Sequence, residues 1–243
     1  MRLLSSPRQV IRAVLIAQMA MAAIIIGADL IRAPGAAAPG LFAPPAQGPS
    51  VRPYRPDLRP GQPGTPGAPA MRPMPERLEF TESEGTISLT GQIAPGDADR
   101  FAAWMDEIRS QASRVSLDSS GGSVSDALAI GRTIRAANMA TRVGDGAVCL
   151  SACPYLLAAG TERQVDAGGI VGVHQHYFGK NTILPAFMAI NDLQRAQASV
   201  IDFLSDMGVD LRIMSYALRT PPEDINILDP ALMRDLRLTT DPA

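Results

Sequence analysis

The sequence predicts an α/β fold with largely parallel strands for residues 76–243. Short apolar segments of strand length alternate there with segments of helical apolar spacing, the order that builds parallel strands joined by helices. A glycine pair, Gly121-Gly122, also separates a strand from a following helix. The 75 residues before this region are not expected to contribute to a packed hydrophobic core. Residues 76–243 are numerous enough to form one core by themselves.

Residues 1–32 are predicted to be a signal peptide or a single-pass membrane anchor. Three arginines precede an uncharged apolar run from Ala13 to Gly27. The positive flank predicts a cytoplasmic N-terminus and an exported remainder. A spanning helix needs about 20 apolar residues, which the run reaches only by including Asp29. Small residues at 36–38 offer a cleavage site, so both alternatives stay open, with the uncleaved anchor favoured. The predicted location is the bacterial inner membrane, facing the periplasm, or the periplasm or exterior after cleavage.

Residues 33–75 are predicted to be a disordered linker. This stretch holds 13 prolines, many glycines and alanines, and almost no large apolar side chains. Such a composition cannot form a packed core and is typical of extended tethers.

The first half of the domain shows clear periodicities. Residues 77–80 and 86–93 alternate as strands do, and Phe101, Trp104 and Ile108 have helical spacing. Ser123 and Asp126 are suitable N-terminal caps for a helix after the glycine pair. The predicted elements are strands at 77–80 and 86–93, a helix at 97–112, a strand at 114–118, a helix at 123–137 and a strand at 141–143.

The second half continues the alternation. Pro154 is tolerated only in the first turn of a helix, which places Ser151 at or just before a helix start. Gly208 ends a long amphipathic helix, and Asp210 can cap the next one. The predicted elements are a helix at 150–159, a strand at 169–174, a helix at 184–207, a short helix after Asp210 and one more within 221–239.

Both histidines and both cysteines of the chain lie between residues 118 and 176. A serine hydroxyl needs a neighbouring imidazole to take its proton, so Ser151 is the candidate nucleophile and His174 the candidate base. Simpler interpretations are a small residue at a helix start and a histidine satisfied by a carbonyl. His176 is expected to be structural or to line the rim of a site.

Three alternatives are open for Cys149 and Cys153. An oxidising compartment permits a disulfide, provided that Cys149 precedes the helix. Both can instead be buried small hydrophobes. With His174 and His176 they also form a Cys2His2 set suited to zinc. That set would consume the proposed base, so no metal is expected.

Three motifs resemble the proteolytic subunit of the Clp protease. They are the segment LDSSGGSV at 117–124, the Ser-Ala pair opening an Ala-rich helix at 151–160, and Val-His-Gln at 173–175. The similarity extends from about residue 113 to the C-terminus. It is closest to exported members of the Clp/crotonase-like superfamily that carry Cys-x-Ser-Ala-Cys. The resemblance implies a spiral of repeated β-β-α units.

The resemblance also implies roles for individual residues. Ser151 would be the nucleophile, His174 the general base and Asp224 the carboxylate that orients it. An oxyanion hole would come from backbone N–H groups of Ala152 and of the glycine pair, which could also be a simple turn. Asp224 can equally be a helix cap, and four more aspartates are available (192, 202, 206 and 210). The chain departs from the family at Ser120, where a proline is usual, and at Cys153.

The resulting hypothesis is an exported, membrane-tethered serine peptidase or acyl hydrolase that acts on peptides or proteins without a cofactor. A net charge of −2 gives no reason to expect nucleic acid. An ATP-dependent unfoldase is not expected outside the membrane. Self-association through the long helix is expected. The main alternative is an inactive binding or scaffold module in the periplasm. A Ser–Lys dyad would need Lys180, the only lysine. Acyl-CoA chemistry is disfavoured because coenzyme A is cytosolic.

Overall fold

The computed structural model describes residues 7–31, 51–53, 58–59, 72–108, 111–176 and 186–240. The chain divides into two compact units, residues 1–46 and 47–243. In the first unit the described part is a single helix, α1 (Pro7–Ile31). Across the described ranges, the structure contains no helix that is both long enough and apolar enough to span a membrane. The remainder of the predicted signal region lies outside the described residues.

The second unit is an α/β structure built on a mixed, mostly parallel sheet of nine strands. The sheet strands are β1 (Val51–Pro53), β4 (Glu79–Ser83), β5 (Thr86–Ile93), β6 (Arg114–Gly122), β7 (Ala140–Val143), β8 (Val148–Leu150), β9 (Arg163–Val165), β10 (Ile170–Val173) and β11 (Asp224–Ile227), and β2 (Leu58–Arg59) pairs separately with β3 (Arg72–Pro73). The helices are α2 (Asp97–Ile108), α3 (Val124–Ala136), α4 (Cys153–Ala159), α5 (Ala186–Asp206), α6 (Arg212–Arg219) and α7 (Pro230–Asp235).

Strand β6 is the branch point of the sheet. Its first residues pair in parallel with β7, which continues to β9. Its last part pairs in parallel with β8 at Ser119 and Cys149, and β8 pairs with β10. The antiparallel strands are β4 and, at the other side, β11 and β1. The end of β6 therefore lies beside the end of β8, and this brings the glycine pair to the turn that carries Ser151.

Part of the region predicted as a linker is structured. Val51–Pro53 forms the edge strand β1 on β11, and Met74 is buried against Leu150 and its neighbours. A proline is compatible with an edge strand because its missing N–H leaves no ladder bond unmade there. The packed unit thus begins before residue 76. Most of the predicted linker lies outside the described residues.

Several predicted elements have different limits in the structure. The strand predicted at 114–118 continues to Gly122, and the helix predicted at 97–112 ends at Ile108. The helix predicted from residue 150 begins at Cys153, because residues 148–150 belong to β8. Strands β8, β9 and β11 were not predicted. The strand at 86–93 and the helix capped by Ser123 were predicted correctly.

Helix α3 lies close to both α4 and α5. A Cβ atom at Gly131 would stand 2.7 Å from the Phe203 ring of α5 and 3.4 Å from Ala159 of α4. The missing side chain is therefore what permits this approach. The larger apolar core contains buried residues from the sheet, from these three helices and from α2, α6 and α7. The ends of β6, β8 and β10, where the candidate residues lie, border this packed layer.

Candidate active site

Ser151 occupies a sharp turn between β8 and α4. Its φ angle is +61°, in the left-handed region that residues with a side chain rarely adopt. Such a conformation costs on the order of 1–3 kcal/mol and persists only where the surroundings impose it. The Ser151 N–H donates to the carbonyl of Gly172 in β10, at 2.9 Å. The turn projects the hydroxyl away from the strand, and the side chain is partly exposed.

A disulfide spans this turn. Cys149 in β8 and Cys153 at the start of α4 are bonded to each other, with their Cα atoms 5.0 Å apart. Cys149 precedes the helix, which is the condition that the disulfide alternative required. Because both thiols are used in this bond, the other two alternatives, free buried thiols and a Cys2His2 zinc site, do not hold. The bridge closes a short ring around Ser151 and Ala152.

His174 follows directly after β10 and faces Ser151. Its Nε2 atom lies 2.7 Å from Ser151 Oγ, and its Nδ1 atom lies 2.9 Å from the carbonyl oxygen of Pro222. A carbonyl oxygen can only accept a hydrogen bond, so Nδ1 carries the proton in the neutral ring. Nε2 then has a free lone pair for the serine proton. This is the tautomer that a general base needs.

Burial lowers the pKa of His174 below its ordinary value of 6.5. The carbonyl groups of Pro222 and Pro221 oppose this shift by accepting a hydrogen bond from the ring, but desolvation of the imidazolium is the larger effect. The side chain is only 5% exposed. His174 is therefore neutral, and able to accept a proton, at neutral pH.

Asp224 was predicted to be the third catalytic residue, the carboxylate that orients His174. The ring nitrogen that a carboxylate would face is opposite the Pro222 carbonyl instead. Asp224 is the first residue of β11, and its backbone N–H donates to the carbonyl of Pro221 at 3.0 Å. The helix-cap alternative is wrong, because Asp224 lies in a strand and Asp229 caps α7 through the N–H of Leu232, at 2.8 Å.

The glycine pair lies against the nucleophile turn. A Cβ atom on Gly121 would stand 2.5 Å from the Leu150 carbonyl, 2.6 Å from Ser151 Cβ and 2.8 Å from the nitrogen of Ala152. The φ angles of Gly121 and Gly122 are +89° and +138°, so both positions favour glycine. Instead of forming a separate turn, the pair ends β6, where Gly122 lies opposite Ile93 of β5.

The three predicted oxyanion donors differ in their hydrogen bonds. The N–H of Gly121 donates to Ser119 Oγ at 3.1 Å. Gly122 belongs to the β5–β6 ladder. Within the described part of the chain, the N–H of Ala152 has no hydrogen-bond acceptor. Ala152 directly follows the candidate nucleophile Ser151, so its N–H is the best placed of the three predicted donors.

His176 contacts Tyr155 rather than Ser151. Its Nε2 atom lies 2.7 Å from the Tyr155 hydroxyl, and the two rings meet edge to face with centroids 6.0 Å apart. Burial, and secondarily the nearby His174, lower the pKa of His176. Burial raises the pKa of Tyr155. Both groups are uncharged at neutral pH, in keeping with the structural role expected for His176.

The segment holding His174 is anchored to the last turn of α6 and to the loop that follows it. The Gln175 N–H donates to the Thr220 carbonyl at 2.9 Å, and its side-chain amide donates to the Leu218 carbonyl at 2.7 Å. The same loop supplies the Pro222 carbonyl. Sequence reasoning missed this loop, although the rigid Pro221-Pro222 pair was a usable signal. Lys180, the alternative base, lies outside the described residues.

No protein-family model matches the chain, and no curated protein matches it.

Proposed function

We propose that the chain is an exported, membrane-tethered serine peptidase or acyl hydrolase that uses Ser151 and His174. The observation that carries the proposal is the 2.7 Å hydrogen bond between Ser151 Oγ and His174 Nε2. A serine in a strained turn, beside the neutral tautomer of a buried histidine, is the arrangement that nucleophilic acyl transfer needs.

The reaction follows from these positions. His174 Nε2 takes the hydroxyl proton as Ser151 Oγ attacks the substrate carbonyl carbon, and the Ala152 N–H stabilises the oxyanion. His174 then donates its proton to the leaving group, which departs as the acyl–serine ester forms. Water, deprotonated by the same nitrogen, hydrolyses that ester and regenerates Ser151. No cofactor is required.

The Pro222 carbonyl supports the base differently from a carboxylate. It fixes the ring tautomer, but it carries no full charge to stabilise the imidazolium that forms in the transition state. The reaction is therefore expected to be slower than that of a hydrolase with a complete triad.

The Clp/crotonase-like spiral is part of the proposal. After β6 and α3, two successive β-β-α units follow in the chain: β7, β8 and α4, then β9, β10 and α5. The first strands of these units pair with each other, as do the second strands. A spiral predicts this pattern, because each repeat then adds one strand to each of two stacks.

Labelling with a fluorophosphonate probe tests the proposal. The full-length chain, with detergent present, should be labelled, and Ser151→Ala and His174→Ala should each abolish labelling. Ser205→Ala, which changes an exposed serine of α5, is the matched control and should be labelled normally. Labelling that survives Ser151→Ala would refute the assignment of the nucleophile.

A binding module without turnover is the second candidate. Two observations favour it: the Gly121 N–H already donates to Ser119 Oγ, and Nδ1 of His174 faces a carbonyl rather than a carboxylate. Absence of labelling in a well-folded wild-type chain would support this candidate over the hydrolase.

The remaining parts of the proposal concern location and partners. The basic flank and apolar run favour a tether in the bacterial inner membrane with the domain outside. Cys149 and Cys153 as a disulfide agree with an oxidising compartment. Peptides or proteins are the proposed substrates, and no ATP-dependent unfoldase is required. Self-association through α5 would be refuted by a monomeric mass in light scattering.

A further inference from the structure

A groove between α3 and α5 begins beside the Ser151–His174 pair. It is a cavity of about 440 Å³. At one end lie Gly122, which adjoins the glycine that packs on Ser151, and His176, two residues after the base. The groove is therefore lined by close sequence neighbours of Gly121 and His174.

The walls of the groove are apolar or small. Val124 and Leu128 of α3 line one wall, and Ala196 and Ser199 of α5 line the other. Residues 124, 128 and 132 follow one another at four-residue intervals, so they share one face of α3. Arg132 is the third residue of this row and also lines the groove. The groove therefore has an apolar stretch at Val124 and Leu128, followed by the cationic side chain of Arg132.

Arg132 is available to an anionic group. It is exposed, and its guanidinium carbon lies 5.7 Å from the centre of the Phe203 ring, which supports the side chain. Within the described ranges no carboxylate pairs with Arg132. The adjacent Asp126 is buried, and its carboxylate accepts hydrogen bonds from the N–H groups of Gly96 and Ala98 and from Ser123. Among the described residues that line the groove, Arg132 is the one cationic side chain, and there is no carboxylate.

We propose that this groove binds the acyl part of an extended peptide substrate and that Arg132 selects an acidic side chain on it. The inference rests on the proposed function. Eight residues of helix separate Val124 from Arg132, or about 12 Å. An extended peptide covers that length in about three to four residues. The preferred substrate has small or apolar residues next to the scissile bond and a Glu or Asp about three residues before it.

Peptidyl phosphonates test this directly, because the phosphonate reports reaction at Ser151 while the peptide reports the groove. The probe is an alanine tetrapeptide phosphonate with Glu or Gln at the second, third or fourth position from phosphorus. The full-length wild-type chain should react about fivefold faster with the best-placed Glu probe than with its Gln partner, the effect of one exposed ion pair.

Variants at Arg132 should change this preference. Arg132→Glu should reverse it, Arg132→Gln should abolish it and Arg132→Lys should retain it. Arg114→Glu is the matched control: Arg114 is exposed at the other end of β6, about 25 Å from Gly122 along the strand. It should keep the wild-type preference.

The outcomes separate the two proposals. Failure of a simple fluorophosphonate to label Ser151 would overturn the proposed function. If the simple fluorophosphonate labels Ser151 normally, three results would overturn the groove assignment alone. The peptidyl probes do not react, the wild type shows no preference for Glu at any position, or Arg132→Glu leaves the preference unchanged.

Discussion

Helices α4 and α7 start in similar sequences but are fixed in different ways. Each is short, follows a strand and has a proline in its first turn. At α7 the N-cap residue Asp229 has extended backbone angles and accepts a hydrogen bond from the N–H of Leu232. At α4 the N-cap residue Ala152 has helical angles and no side chain that can cap. The start of α7 is therefore held by a local hydrogen bond, whereas the start of α4 is held by the residues around it.

The difference shows how a reactive turn can be maintained. At α4 the N–H of Tyr155, which a polar N-cap side chain would engage, donates to the Ala152 carbonyl at 3.2 Å, and the N–H of Ala152 itself has no described acceptor. The strain at Ser151 must then be balanced from outside the turn. The Cys149–Cys153 bond and the close packing of Gly121 are the two features positioned to do so.

Gly121→Ala should have the largest effect. The added methyl group would stand 2.6 Å from Ser151 Cβ and 2.8 Å from the Ala152 nitrogen, so the nucleophile turn must move. A displacement of about 1 Å at a reacting group can lower the rate about a hundredfold. The rate of fluorophosphonate labelling measures this.

Gly85→Ala is the control for the backbone strain of that substitution. Gly85 also has a positive φ, +72°, but an added Cβ atom would meet nothing within 4 Å. It should lower thermal stability and leave the labelling rate unchanged. Equal losses of labelling in both variants would show that packing against Ser151 is not the cause.

Loss of the disulfide should have the next largest effect. In the double variant Cys149→Ala/Cys153→Ala, the Ser151 turn can relax, and we expect labelling to slow about tenfold. Loop-closure entropy for so short a ring predicts a loss of about 2 kcal/mol in the free energy of unfolding. Urea denaturation measures the second quantity.

Reductant provides the matched test. Wild type that is unfolded and then refolded in dithiothreitol lacks the disulfide and should be labelled more slowly. The same treatment should leave the labelling rate of the double variant unchanged. A folded double variant that is labelled at the wild-type rate would show that the bond stabilises the domain without positioning Ser151.

The pH dependence should be shifted toward acid. His174 must be neutral to accept the serine proton, and burial lowers its pKa by disfavouring the imidazolium. The labelling rate should therefore stay constant as pH falls from 8 to about 7 and decline with a midpoint below 6.5. A midpoint at or above 6.5 would contradict the observed environment of His174.

Asp229→Ala should have the smallest effect. Removal of the side chain takes away the cap of α7, which typically lowers the free energy of unfolding by about 1 kcal/mol. The labelling rate should stay at the wild-type value, since Asp229 is exposed and does not belong to the Ser151–His174 site. A tenfold slower rate would mean that α7 supports the active site.

The predictable parts of the fold were those with a repeated pattern. β5 alternates buried and half-buried side chains along its whole length, and α3 has a capping serine followed by an acidic first turn. β8 was missed because its three apolar residues run directly into the apolar α4. β11 was missed because it is short and contains an aspartate and an asparagine, which are uncommon in strands.

The candidate site divides in the same way. His174 could be proposed because the chain has only two histidines, and Ser151 because it lies between the two cysteines at a predicted helix start. The partner of His174 could not be identified in this manner, because it is a backbone carbonyl and every residue has one. Likewise, no sequence pattern indicates that the Gly121 N–H meets Ser119, because the bond depends on local φ and ψ angles.

The disulfide has a further consequence for how the chain matures. The chain contains only two cysteines, separated by four positions in sequence. Within one molecule there is a single pairing, so no wrong isomer can form and no isomerase is needed to correct one. An oxidant alone completes the turn that carries Ser151. Under the proposed export, the availability of oxidant, rather than the search for the right partner cysteine, would determine when each molecule becomes competent.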